Sequence, residues 1–288
     1  MAIGRYFDWA FRDLGHEVFS VGCYNEGKIP WGEQFDFPQY AFPPDLQIEE
    51  TEAYPIEAVL NKMPWKPDII VQASDVTYFT GKVDIPTVIV ATDPHCVNDL
   101  PRLQSASHFA CMQKYYMDRY PTFANKFWLP YAYYPDIHKK LRSKKIYDVV
   151  LIGLLYDQRK EVMDKLAARG HKTFNELGHI FDEYNNIYNQ GKISFNYSSK
   201  LDLPARFWEG LAMGNCVVTN NIPELDSLEF HNGSHYLGYD STDDAVRVIE
   251  NALSNGSWET VANAGHELLM KGKHTYHDRC NQILETVL

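Results

Sequence analysis

The sequence predicts an α/β chain with parallel sheets in two domains, and three observations carry that expectation. Short continuous apolar runs at 68–72, 86–91, 147–152 and 216–219 read as strands buried on both faces. Amphipathic stretches of helical length separate them. The length, 288 residues, suits two domains, and the strand–helix pattern restarts after a basic run at 138–145. That run holds five Lys or Arg in eight residues and reads as a solvated linker. The expected domains are therefore 1–137 and 138–288.

Composition narrows the class. A net charge of -11 opposes non-specific binding to a phosphate backbone, though not a local basic groove. Aromatic residues make up 14% of the chain, with 19 Tyr, a composition found in carbohydrate and nucleoside sites as well as in ordinary cores. The five cysteines, Cys23, Cys96, Cys111, Cys216 and Cys280, are odd in number and show no CxxC spacing. Reduced thiols and a cytoplasmic location are expected. No zinc-ligand spacing appears, and no apolar run reaches membrane-span length or forms a secretory pattern.

In the first domain, 3–14 reads as a helix with Tyr6, Phe7, Ala10, Phe11 and Leu14 on one stripe. Gly15 ends it, and 18–22 reads as a strand. A strand normally precedes such a helix in an α/β domain. Here the sequence opens at the helix, so that first strand is expected to be absent, truncated or supplied differently. The stretch 25–55 is rich in Pro, acidic and aromatic residues, including Trp31, Phe35, Phe37, Tyr40 and Phe42. It is either a functional loop or an insertion that packs its aromatics on the body. A short helix follows at 56–63. The strand at 86–91 runs into Thr92-Asp93-Pro94-His95. Polar residues just past a strand's C-terminal end sit where open α/β sheets bind ligands. Asp93 and His95 are thus site candidates, Asp75 is a further one, and Asp93 could instead cap the next helix. A strand at 107–112, a helix at 113–119 and an extended segment at 126–129 complete the domain.

In the second domain, the strand 147–152 ends at Gly153 and the helix 158–169 follows. No GxGxxG lies between them, so the dinucleotide fingerprint is missing. Arg159, near the helix N-terminus, either meets a phosphate there or faces solvent. A strand at 172–174 and a helix at 180–189 lead to the richest stretch, 192–220. There 193–196 is a strand, Asp202 and Pro204 signal a helix start, Gly214 signals its stop, and 216–219 is a strand. Arg206 and Glu209 are spaced i, i+3 and share one helix face. They form either an incidental surface ion pair or a place for an anion and a hydroxylated group together. A strand at 235–239 and helices at 242–254, 258–270 and 276–288 close the chain.

The segment Asp202-Leu-Pro-Ala-Arg206-Phe-Trp-Glu209-Gly-Leu-Ala-Met-Gly214 resembles the strongest motif of the CgeB-like group of glycosyltransferases, with Trp208 where that motif has Phe. Ile152-Gly153 with Arg159, Asn186 through Lys192 to Asn196, and His274-Thr275-Tyr276 with Arg279 are similar to further stretches of the group, in order. The resemblance implies a GT-B fold: two Rossmann-like domains with parallel sheets facing across a cleft. It implies a nucleotide-sugar donor, expected to be a UDP-sugar, bound mainly by the second domain through Gly153, Arg159, Lys192, Asn196, Asp202, Arg206 and Glu209. Glu209 corresponds to the residue that bonds the ribose hydroxyls, while Arg159 and Arg206 would face the diphosphate as it leaves. Many relatives carry an earlier acidic residue near the donor sugar. The matching position here is Leu201, next to Asp202, so Asp202 is either displaced from that role or a helix cap. Asp93 or His95 would face the donor sugar and the acceptor. The group's kinship implies retention of configuration without a metal or other cofactor. The acceptor could be a small molecule, a glycan, a protein or a modified DNA base. A non-catalytic binding module and a nucleotide-sugar epimerase or hydrolase are the alternatives.

Overall fold

The computed structural model describes residues 2–22, 28–31, 33–36, 42–48, 53–73, 78–94, 105–119 and 125–288. The chain divides into two compact units, Met1–Pro130 with Arg279–Leu288, and Tyr131–Asp278. The expected boundary at 137/138 lies inside the second unit, and residues 279–288 belong to the first.

The first unit opens with helix α1 (Ala2–Asp13), whose Tyr6, Phe7, Ala10 and Phe11 are buried as the helical spacing requires. Leu14 lies past the helix end and is 36% exposed. A short helix, α2 (Ile56–Leu60), comes later in the unit. Four parallel strands form its main sheet: β1 (Ile70–Gln72), β2 (Thr87–Ala91), β3 (His108–Cys111) and β4 (Lys126–Trp128), in the order β4-β3-β2-β1. Every residue of β2 is buried, as its unbroken apolar run demands.

Two expectations shrink. The strand at 18–22 is only Val21–Gly22, paired in parallel with Leu46–Gln47. The helix at 113–119 is a tighter 3-10 turn, Lys114–Arg119, and Pro121 in the sequence opposes its continuation. Within 25–55, Lys28–Trp31 and Glu33–Asp36 pair as an antiparallel hairpin. Phe42 packs on α1, edge-on to Trp9 with ring centroids 5.2 Å apart and beneath the Arg5 guanidinium. Phe37, Tyr40 and Asp75 lie outside the described residues.

The second unit holds a five-stranded parallel sheet. Its strands are β5 (Tyr147–Ile152), β6 (Thr173–Glu176), β7 (Gly191–Phe195), β8 (Cys216–Asn220) and β9 (Leu237–Tyr239). The order is β6-β5-β7-β8-β9, with β5 hydrogen-bonded to both β6 and β7. Its helices are α3 (Asp157–Ala168), α4 (Phe181–Gln190), α5 (Ala205–Ala212), α6 (Thr242–Asn255) and α7 (Ser257–Lys271), and the last helix, α8 (Tyr276–Val287), belongs from Arg279 onward to the first unit. Side chains of β5 alternate between two cores. Val149 and Leu151 pack with Val162 and Leu166 of α3, whereas Val150 and Ile152 pack with Tyr188 of α4. The sheet is therefore covered on both faces at β5, which explains the apolar run Val149–Ile152. The strand order reverses between β5 and β7, and such a reversal opens a crevice at the C-terminal ends of those strands.

Candidate functional site

Arg206 lies across that reversal point. Its Nη2 donates to the carbonyl of Ile152, the last residue of β5, at 2.7 Å. Its Nη1 donates to Oδ1 of Asn196, just past β7, at 3.1 Å. Asn196 is fully buried and fixed in turn: its Nδ2 donates to the Thr219 hydroxyl at 2.9 Å, and its carbonyl accepts from the Tyr239 hydroxyl at 2.7 Å. Gly153 makes room for the guanidinium. A Cβ there would stand 2.6 Å from Arg206 Nη2, and φ of +144° is a conformation side chains resist. The sequence signals at Gly153, Asn196 and Arg206 thus converge on one geometric point.

Arg159 is the second cation beside this point. It is buried, and its donors go to backbone carbonyls: Nε and Nη2 to Tyr197 at 3.0 and 2.8 Å, and Nη1 to Leu154 at 2.9 Å. Burial, and then the nearby Arg206, lower its pKa to about 10, so it stays charged at neutral pH. Burial also pulls on Arg206, but Tyr188, Tyr184 and Glu209 outweigh it and the pKa is raised. Neither guanidinium forms an ion pair with a described carboxylate. Arg206 Nε has no hydrogen-bond partner among the described residues. Glu209 and Asp202 lie close enough to act on Arg206 and Arg159 through space, without pairing with them.

Glu209 lies one turn further along α5. Its Oε2 accepts from the Tyr184 hydroxyl at 2.6 Å, and its Oε1 faces His138 Nε2 at 3.5 Å. The Arg206–Glu209 surface ion pair allowed by the spacing does not form, because each side chain has other partners. Asp202 does not cap α5. Pro204 is the N-cap residue, with no side-chain cap bond. Asp202 instead accepts from the Ser198 hydroxyl, while its own N–H donates to Ser198 Oγ at 2.9 Å. This closes a tight loop in which Leu201 takes φ of +58° and stays 40% exposed. Beside the loop, a cavity of about 380 Å³ opens at the ends of β7, β8 and β9, lined in part by Tyr197, Ser198, Leu201, Asn220 and Asp240.

Lys192 is not brought to this cluster. It stands at the start of β7, where Nζ meets Asp148 Oδ1 at 2.7 Å, whereas Asn196 follows the other end of the strand. Four residues of strand separate the two by about 13 Å. Asp93 is exposed just past the C-terminal end of β2 in the first unit, and His95 lies outside the described residues.

Sequence reasoning missed His138 and Tyr184. His138 was expected in a solvated basic run, yet it is only 2% exposed. A single buried residue in an irregular segment has no periodicity to reveal it. No group of three or more His, Cys, Asp or Glu suited to a metal occurs among the described residues, and no described helix is long and apolar enough to cross a membrane.

The model of a family described as glycosyl transferase-like matches residues 135–285, more than half of the 288-residue chain. No curated protein matches the sequence. Among solved structures, sucrose-phosphate synthase from Thermosynechococcus elongatus is 12% identical with a TM-score of 0.57, over 80% of this chain and 74% of that one. HepE from Anabaena, in complex with UDP and glucose, is 11% identical with a TM-score of 0.58, over 70% and 71%. The pneumococcal O-GlcNAc transferase GtfA, in complex with UDP and GlcNAc, is 10% identical with a TM-score of 0.52, over 70% and 52%. The fold shared with these proteins is GT-B.

Proposed function

We propose that this chain, which belongs to the glycosyl transferase-like family, moves a sugar from a UDP-sugar to a hydroxyl acceptor with retention of configuration. One observation carries the donor reading: the buried Arg159 and the half-buried Arg206, neither ion-paired with a described carboxylate, stand at the strand-order reversal, with Glu209 one helical turn away. A diphosphate would place its negative charge beside two guanidiniums, and a carboxylate can accept from both ribose hydroxyls. The UDP found with HepE and GtfA supports that choice of nucleotide.

In this reading the bond between the sugar's anomeric carbon and the diphosphate oxygen breaks, and its electron pair goes to the diphosphate. Arg206 stabilises the developing charge directly. Arg159, whose guanidinium is turned to the Tyr197 and Leu154 carbonyls, contributes through its field. The acceptor oxygen bonds to the anomeric carbon on the face being vacated, and its proton passes to the departing phosphate oxygen. The two guanidiniums supply the positive charge that a metal would bring in other phosphate sites, so the reaction is read as metal-independent. Gly153 and Asn196 hold Arg206 in place. Asp202 shapes the loop nearest the expected donor sugar. Asp93 and His95 are the acceptor-side candidates.

Leu201, at the position where relatives carry an acidic residue, favours a second reading: a binding module that kept the fold without the reaction. A thermal-shift screen of nucleoside diphosphates and their sugars tests binding, because a ligand of the folded state raises Tm. A coupled assay for diphosphate release, with and without added hydroxyl acceptors, tests turnover. Binding with acceptor-dependent release supports the transferase. Release of free sugar without acceptor identifies a hydrolase. Binding with neither activity selects the module.

A further inference from the structure

The donor reading leaves two groups around Glu209 without a role. We infer that His138 and Tyr184 are positioning residues that clamp the Glu209 carboxylate in the orientation needed to recognise the vicinal ribose hydroxyls of the nucleotide. The inference rests on the donor reading above and adds to it the residues that set ribose specificity.

The tautomer of His138 follows from its surroundings. Its Nδ1 accepts the backbone N–H of Tyr134 at 3.0 Å. A backbone N–H can only donate, so the proton of the neutral ring sits on Nε2. That N–H faces Glu209 Oε1 at 3.5 Å, with the imidazole almost wholly buried. Burial holds the His138 pKa below its ordinary value, so the ring is neutral near pH 7. Tyr184 donates to the other carboxylate oxygen at 2.6 Å. Burial, and then Glu209, raise its pKa well above the ordinary value, so it keeps its proton.

Oε2 therefore accepts from one neutral donor, while Oε1 faces a neutral N–H at the longer distance of 3.5 Å, and both keep spare acceptor capacity. Neutral donors fix the carboxylate without cancelling its charge, whereas a Lys or Arg in either place would act as a counter-ion. The charge stays available to strengthen hydrogen bonds from incoming hydroxyls. The shorter Tyr184 contact is the stronger restraint. The Tyr184 ring is itself held, 4.5 Å from that of Tyr188 and edge-on to His138 at 6.0 Å. A carboxylate with its rotamer fixed on both sides loses little entropy when it takes up a diol.

The test compares affinities for UDP and 2′,3′-dideoxy-UDP by calorimetry on the full chain. The variants are Tyr184→Phe, His138→Phe and His138→Gln, with Glu209→Ala as reference. The wild type should prefer UDP. Tyr184→Phe should cut that preference roughly five- to tenfold, as the loss of one positioning hydrogen bond implies, and His138→Phe, which removes the longer contact, should cut it by a smaller factor of about two to three. Their affinity for the dideoxy form should stay within about twofold. His138→Gln, which keeps an N–H donor, should retain most of the preference. An unchanged preference in both Phe variants, or an equal loss of both ligands, overturns the clamp. If a His138 variant does not fold, Tyr184→Phe, which removes one hydroxyl, decides alone. A wild type that binds neither nucleotide, or a Glu209→Ala variant that keeps full preference, overturns the donor reading itself.

Discussion

Replacing Arg206 separates charge from geometry. In Arg206→Gln the charge goes, while one amide N–H can still reach the Ile152 carbonyl or Asn196 Oδ1. In Arg206→Lys the charge stays, but the fork that bridges both acceptors at 2.7 and 3.1 Å is lost. Each charge-assisted bond is worth about 1.5–3 kcal/mol. A lysine or glutamine that keeps one of the two should therefore cost roughly 2 kcal/mol of stability. For a chain of this size that is a Tm drop of about 4–8 °C. The effect on turnover differs between the two. Two unit charges about 4 Å apart interact by about 4 kcal/mol at an effective dielectric near 20. Every 1.36 kcal/mol is a factor of about ten in rate, so losing the charge should lower turnover on the order of 10³-fold. Arg206→Lys should lose less than Arg206→Gln, at a similar Tm. The assay is diphosphate release under saturating donor, alongside calorimetric melting. Wild-type turnover in Arg206→Gln, or equal losses in both variants, would refute the assignment of Arg206 to the leaving group.

Other outcomes follow from the same geometry. Glu209→Ala should weaken UDP binding about 10- to 100-fold, by loss of bonds to a charged acceptor, with the far-UV circular dichroism unchanged; unaltered affinity would remove Glu209 from the site. Gly153→Ala places a methyl group 2.6 Å from Arg206 Nη2, so it should lower both Tm and turnover, whereas a fully active, equally stable variant would show that the guanidinium is not held there. Lys192→Met should leave nucleotide affinity unchanged and cost no more than about 1 kcal/mol at neutral pH, which titration and urea unfolding can check. The same variant should alter acid stability. Burial alone would raise the Asp148 pKa, but Lys192, the Lys172 N–H and His171 bring it below its ordinary value. A depressed carboxylate adds stability above its unfolded pKa, near 3.9, and loses it as pH falls through the folded value. The unfolding free energy of Lys192→Met should thus fall less steeply than wild type below about pH 4; parallel curves would contradict the pairing.

Much of the second unit was legible in the sequence. The apolar run 147–152 is a strand over those residues, and the helix and strand expected within 192–220 are both present. A strand buried on both faces shows a continuous apolar run, here Val149–Ile152, and a helix with Gly214 just beyond its C-cap residue Met213 declares its end. The first unit was harder. A two-residue strand such as Val21–Gly22, or a 3-10 turn such as Lys114–Arg119, is too short for periodicity to register.

At the site, local spacing marked Arg206 and Glu209 as sharing a helix face, and the family motif marked Gly153, Asn196 and Asp202 beside them. What the sequence determined by itself was which residue types lie at strand ends and helix starts, because those follow from short-range pattern. Only the tertiary structure decided which of them meet. It left Lys192 at the N-terminal end of β7, away from Asn196, turned Arg159 onto the Tyr197 and Leu154 carbonyls, and tied Asp202 to Ser198. It also buried His138 against Glu209, 71 positions away in the sequence. Such a contact depends on how the chain from Tyr131 onward runs beside α4 and α5, and no local spacing encodes that path.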